Sequence, residues 1–466
     1  MAIVMDEDTI VALSTPQGTG ALAIVRLSGS RAVQLVEGAL VSKRPLRELP
    51  SHTISYGRLR GTDETGAETT IDEVMVAVHR GPHSYTGEDL VEITCHGSPL
   101  IVQEIVRLFL VRGARLAEPG EFTRRAFLHG RIDLAQAEAV CDLIFARTER
   151  ARRASMAQLE GRLSRRIASL QQRLGDSRAL LELEVDFSDE DVPTLDRTAF
   201  SRRLDELGAE LEAMLATYRQ GRFLQKGVRL VLVGRTNVGK SSLLNALLQE
   251  DRAIVSELPG TTRDTLEGTV DIGGFPVTVV DTAGFGMAAS SVEQEGLRRT
   301  EREMDRADVV ALVLDGSEPL RGDDRRLLAL YERGEVDGPG VLVVVNKIDL
   351  PQAWRATEVP VDEVVEVSAK EGLGLDRLRG ALLKLLMTDS GREACDVVVS
   401  NVRHWEALRR AAEAVSRARQ CLADGLSPEF VSFELREAGE ALGTIVGAVS
   451  DNDVLNSIFA KFCVGK

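Results

Sequence analysis

No apolar run in this 466-residue chain approaches the roughly 18 to 20 residues that a membrane-spanning helix needs, so a helical membrane protein is excluded. The five cysteines, Cys95, Cys141, Cys395, Cys421 and Cys463, contain no CxxC pair, which argues against a disulfide framework and against a zinc site. Reduced thiols are expected. The opening MAIVMDEDTI lacks the basic and apolar regions of a secretory signal and carries acids instead, so a cytoplasmic location is expected. Positive charge is also short: 57 Lys and Arg against 72 Asp and Glu leave a net charge of −15. Unaided nucleic-acid binding rests on neutralising phosphates, so a nucleic-acid substrate here would need local basic patches or a partner. Internal repeats and low-complexity tracts are missing as well.

What is present is enough length for two or three domains. The first 125 residues alternate short apolar runs with turn signals, including strand-type alternation around Glu73 to His79 and Val91 to Thr94, and read as a small mixed α/β domain. From Asp133 to about Leu183 proline is missing and apolar positions recur at helical spacing (Leu134, Ala137, Val140, Cys141, Ile144; Leu159, Leu163, Ile167, Leu170, Leu174), which predicts long helices. A basic stretch from Arg147 to Arg173 is followed by the acidic LELEVDFSDEDV. Solvated helix faces account for both, and a tRNA or partner surface is the sharper reading of the arginines. Between Val228 and Leu386 the texture changes to VRLVLVG, FPVTVVD, VVALVLD, VLVVVNK and VVEVSAK, strands apolar throughout, as in a parallel sheet buried on both faces. Helical pattern returns after Leu386. The expected architecture is multidomain α/β plus α: an α/β domain over 1–125, a helical domain in two parts over 126–222 and 387–466, and a Ras-like P-loop domain inserted over 223–386.

Within that insert, Gly234-Arg235-Thr236-Asn237-Val238-Gly239-Lys240-Ser241 matches GxxxxGK[ST] between a strand and a helix that opens with Ser241 and Ser242. Backbone N–H groups and the helix N-terminus suit phosphates, Lys240 suits the β and γ oxygens, and Ser241 suits Mg²⁺. Asp281-Thr282-Ala283-Gly284 follows a strand and offers a carboxylate to the Mg²⁺ shell. Asn346-Lys347-Ile348-Asp349 follows another, where Asp349 can accept from guanine N1 and the 2-amino group, which adenine cannot offer. Ser368-Ala369-Lys370 would support the base. In the loop Pro259 to Asp264, Thr262 is the candidate to complete the Mg²⁺ shell. Phe285 stands where a Ras-like enzyme places its water-orienting glutamine, so hydrolysis must be organised otherwise. These motifs predict a domain that binds and hydrolyses GTP.

With GRTNVGKSS, PGTTRD, DTAG, NKID and SAK in order, and with TPQGTGALAIVRLSG, PHSYTGEDLVEITCHG, PGEFTRRAFLHGRIDLAQAEAV and a terminal FCVGK around them, the whole chain resembles the bacterial MnmE/TrmE family of tRNA modification GTPases. The resemblance implies a homodimer through the N-terminal domain, which binds a tetrahydrofolate derivative (5,10-methylene- or 5-formyl-tetrahydrofolate) through Arg26, Glu88, Arg131 and Lys466. Arg131 stands where the family often has lysine and keeps the positive charge. It also implies K⁺ held by Asn237 with Ser256, Leu258 and Thr261, driving G-domain dimerisation in place of an arginine finger. Glu293 would act on the attacking water. A heterotetramer with an FAD-dependent partner of the MnmG/GidA type, FAD entering only through that partner, would modify C5 of the wobble uridine of certain tRNAs.

Cys463 stands fourth from the end, where a prenylation box must be considered, but Gly465 and Lys466 are poor residues for it. By itself such a cysteine is a small apolar residue; the family resemblance gives it a catalytic part in tRNA modification, as it gives Lys240 and Glu293 catalytic parts in GTP hydrolysis. The competing functional class is a regulatory ribosome-assembly or translation GTPase without modification chemistry. Such proteins often append an RNA-binding KH module, of which this chain shows none.

Overall fold

The structure, a computed structural model, describes residues 8–62, 65–186, 196–250, 267–282, 302–332, 340–355, 359, 364–387, 397–448 and 452–466. The chain divides into two compact units, one formed by Met1–Cys141, Leu159–Ile167 and Gly443–Lys466, the other by Asp142–Gln158 and Ala168–Leu442. Among the described residues no helix is long and apolar enough to cross a membrane.

The first unit is built on a seven-stranded sheet, counted over the described residues. Its strands are β1 (Ile10–Leu13), β2 (Leu22–Ser28), β3 (Leu40–Ser42), β4 (Thr53–Thr62), β5 (Glu68–His79), β6 (Leu90–His96) and β7 (Arg115–Leu116), in the order β3-β4-β5-β6-β2-β1-β7. All neighbours are antiparallel except β1 and β7. An antiparallel sheet can leave one face open, and the alternation in β2, β5 and β6 records that. Val25, Leu27, Val74, Val76, Val91 and Ile93 are buried in one cluster with Val36, Ile105 and Phe109 of the helices Ala32–Glu37 and Pro99–Val111. Arg26, Met75 and Glu92 take the alternate positions.

The expected strands around Glu73 to His79 and Val91 to Thr94 are present, each somewhat longer than the alternation alone marked. The tail is tied down at several points. A helix, Asn452–Phe459, buries Leu455, Ile458 and Phe459 against Leu134, Ala137 and Val140. Val464 then bridges Pro119, and the Gly465 carbonyl accepts from Ser14 Oγ at 3.1 Å. Gly465 has φ +95°, and a Cβ there would run into the Leu13 carbonyl, so glycine is required.

In the second unit the described strands are β8 (Val228–Val233), β9 (Glu267–Ile272), β10 (Phe275–Asp281), β11 (Val309–Asp315), β12 (Gly340–Asn346) and β13 (Val364–Glu366), ordered β13-β12-β11-β8-β10-β9. Five run parallel, and β9, a strand its mixed sequence concealed, adds an antiparallel edge. Both faces are covered. Leu243, Leu244 and Leu247 with Leu378, Leu382 and Leu386 pack on one, and Leu327, Leu328 and Trp354 on the other. That double burial is why the central strands read as unbroken apolar runs.

Helix Arg197–Ala216 packs along helix Val402–Ala423. Between them Val399 N donates to Thr217 Oγ1 at 3.0 Å, so the segments entering and leaving the parallel sheet lie side by side. Further back, the long helices expected are Leu134–Phe145, Glu149–Leu159 and Arg162–Asp186, separated after Phe145 and at Gly161, which takes φ +80°.

Leu243 is fully buried between its helix and the sheet. Leu243→Ala should destabilise this unit by about 2 to 5 kcal/mol, read by urea denaturation through tryptophan fluorescence. An unshifted midpoint would contradict the packing.

Candidate functional site

The phosphate-binding loop leaves β8 at Gly234 and enters helix Lys240–Glu250. Two backbone demands shape it. Gly239 has φ +98°, and a Cβ there would run into Asn346 Nδ2. Asn237 has φ +64°, a left-handed conformation that asparagine tolerates better than most residues, and it lies exposed at the crest of the loop. Val238 beneath it is buried.

Lys240 is buried, and its ammonium donates to the carbonyls of Gly234 and Arg235, both at 3.0 Å. Burial pushes its pKa down, against the opposing pull of Asp281. Ser241 and Ser242 are exposed at the helix N-terminus. Ser241 Oγ donates to Asp281 Oδ2, while Asp281 Oδ1 is buried and finds no hydrogen-bond partner among the described residues. An orphaned carboxylate oxygen beside a serine hydroxyl is a pair of hard donors that fits Mg²⁺. Thr282 next to it is fixed by donating to the Leu232 carbonyl at 2.8 Å.

On the other side of the loop, Asn346 is buried and ties three segments together. Its Nδ2 donates to the Val238 carbonyl at 2.9 Å, and its Oδ1 accepts from Ala369 N at 3.0 Å. Lys347, at φ +67°, pairs with Asp315 at 2.6 Å. Burial works against the Asp315 carboxylate, but hydrogen bonds from Lys347 and Ser317 prevail and hold it below the usual range. Asp349 accepts from the buried Ser368 Oγ at 2.6 Å, and Lys370 is exposed.

The structure thus brings together Asn237, Val238, Gly239, Lys240, Ser241, Ser242, Asp281, Thr282, Asn346, Lys347, Asp349, Ser368, Ala369 and Lys370. Ser256, Leu258, Thr261, Thr262, Ala283, Gly284, Phe285 and Glu293 lie outside the described residues. Sequence reasoning missed Asp315. Its signal was there, an acid ending the apolar strand VVALVLD just as Asp281 ends β10.

A second cluster lies in the first unit. Arg26 pairs with Glu92 at 2.6 Å, lies against the rings of Tyr85 and Phe122 at 5.5 and 5.6 Å, and donates to the Gly465 carbonyl at 3.4 Å. Half-buried Lys466 is close enough that burial first and Arg26 second push its pKa down, partly offset by Glu92 and Cys463. Cys463 itself is exposed. Glu88 accepts from Ser28 Oγ at 2.8 Å and from Arg125 at 3.1 Å, and Arg131 donates to the Ser84 carbonyl at 3.0 Å. Arg125, buried and joined also to Asp8 and Glu121, was not anticipated. The hint was Glu121 four residues before it on a helix.

Two family models match the chain, one described as the MnmE helical domain over residues 134–463, the other as the GTP-binding protein TrmE N-terminus over residues 9–131. A tRNA modification GTPase MnmE of Syntrophotalea carbinolica is 43% identical over 466 residues, covering 99% of this chain and 100% of that protein. Its namesake in Oceanobacillus iheyensis is 40% identical over 467 residues, at 99% and 100% coverage. Among solved structures, Aquifex aeolicus Era bound to GDP and aluminium fluoride is similar at 27% identity, covering 40% of this chain and 66% of that one, with a TM-score of 0.28.

Asp349 is the residue expected from its sequence context to accept from guanine. Asp349→Asn should lower affinity for GTP by about tenfold or more and favour xanthosine triphosphate, which presents an acceptor in place of the 2-amino group. Competition binding with the two nucleotides checks it, and an unchanged preference would remove Asp349 from the base site.

Proposed function

The chain belongs to the MnmE family of tRNA modification GTPases, and from that premise we propose that its GTP hydrolysis is activated by K⁺ and serves the modification of C5 of the wobble uridine in certain tRNAs. The chemistry uses a tetrahydrofolate one-carbon donor and an FAD-dependent partner of the MnmG/GidA type. The protein acts in the cytoplasm as a homodimer, within a heterotetramer with that partner, and residues 223–386 form an insert between two helical segments. The single observation that carries the cation assignment is Asn237, exposed at the crest of the phosphate loop in a left-handed conformation.

The residues divide the work as follows. Lys240, desolvated in its loop, meets the β and γ oxygens of GTP, and the N-terminus of helix Lys240–Glu250 adds its positive end. Ser241 and Asp281, with Thr262, hold Mg²⁺, whose charge offsets that developing on the phosphates. Asn237 with Ser256, Leu258 and Thr261 takes K⁺, and Glu293 orients the attacking water. Asp349 selects guanine.

In the first unit Arg26 and Lys466 are adjacent cations beside the aromatic faces of Tyr85 and Phe122, a setting that fits an anionic, ring-bearing ligand such as a folate. Arg131 and Glu88 adjoin it through Ser84. Folate supplies the one-carbon unit, and Cys463 lies exposed next to this cluster.

GTP turnover should be several-fold faster in K⁺ than in Na⁺, and Asn237→Ala should abolish the difference. Equal rates in the two salts would refute the cation assignment. In cells lacking the gene, mass spectrometry of tRNA nucleosides should show the C5 modification missing from wobble uridines; a full complement would sink the modification reading.

A further inference from the structure

We propose that Asp324 is a positioning residue for nucleotide binding, acting through Arg235 of the phosphate loop. It rests on nucleotide binding by that loop alone, so tRNA chemistry does not enter its test and the Kd for GDP reads it apart from hydrolysis.

Arg235 follows Gly234 at the start of the loop, and its carbonyl is one of the two that hold the Lys240 ammonium. Its own side chain turns away from the loop and is only 11% exposed. The guanidinium meets Asp324 at 3.1 Å through Nε and Glu318 at 3.2 Å through Nη2. Asp324, itself 2% exposed, is held independently of the loop. It is the third residue of helix Gly322–Glu332, and its Oδ2 accepts the backbone N–H of Arg321 at 2.9 Å, the reach-back contact that caps a helix start. Arg321 in turn fixes Glu318 at 2.8 Å.

The carboxylate is therefore placed by its helix, and the arginine by the carboxylate. The segment from Asp315 to Asp324 becomes a strut. At one end Asp315 holds Lys347 of the guanine-reading loop, and at the other Asp324 and Glu318 hold the first turn of the phosphate loop. A charge-assisted contact this enclosed is strong, and losing one partner leaves a buried charge unmatched.

The test is a double-mutant cycle on the full-length protein, read as the Kd for GDP and as kcat and KM for GTP. Asp324→Asn keeps an acceptor for the helix cap and drops the charge, and Arg235→Leu keeps the cap intact. Each should raise the Kd for GDP and the KM for GTP about tenfold while kcat at saturating GTP stays put. The double variant should lose no more than either single one. Asp324→Glu should recover much of the loss. Wild-type GDP affinity in Asp324→Asn, with its thermal midpoint showing it folded, would overturn the assignment, as would losses that simply add.

Discussion

The buried amide of Asn346 is the interaction on which the nucleotide site depends. A buried amide must have its hydrogen bonds made, and here both are made to other loops, the Val238 carbonyl on one side and Ala369 N on the other. The fit exists only because Gly239 has no Cβ to occupy the same space. Asn346 and Gly239 are therefore one constraint, written at two places more than a hundred residues apart. It ties the phosphate loop to the loops at Asn346 and Ser368 through bonds within the protein itself, and such preorganisation lowers the ordering cost of binding. Lys347 and Asp349, one and three residues after Asn346, are then held by Asp315 and Ser368.

Charge is organised in the same local way. The net charge of −15 describes the chain but neither of its sites. Lys240 is buried in a loop of carbonyls, and Arg26 and Lys466 are neighbours on the sheet face that Tyr85 and Phe122 cover. Each unit thus concentrates cations at one point, against the acidic balance of the chain as a whole. The arginine-rich stretch shows the opposite case: Arg152 and Arg153 both pair with Glu149 on one exposed helix face, which is the solvated arrangement.

The parallel sheet was legible because burial on both faces leaves an unambiguous apolar signature, and because each motif ends a strand. Gly234 to Ser241, Asp281, Asn346 to Asp349 and Ser368 all fall at strand termini as their order implied. Strand β9 was not legible, since an edge strand with sequence EGTVDI carries mixed polarity. The partners of Arg125, Asp315 and Gly465 were hidden for a different reason. Beyond the Glu121 neighbour of Arg125, their meaning lies in contacts with residues far along the chain, which no local period records. The tail shows this best, because nothing in FCVGK announces that a glycine carbonyl will receive Ser14 and Arg26.

That same tail sets a timetable. Ser14 and Gly465 are separated by 451 positions, so the sheet that begins at β1 lacks its last neighbours until translation has reached the far end. At about 5 to 20 residues per second, this is a wait of roughly 20 to 90 s. The second unit contains its own sheet and both of its covering faces, and can complete in that interval. Once it has, the long intervening stretch no longer behaves as a loose chain, and closing the loop costs less entropy than its length suggests. The parallel sheet, whose last strand ends at Glu366, is therefore complete well before the contact that seals the N-terminal unit can form.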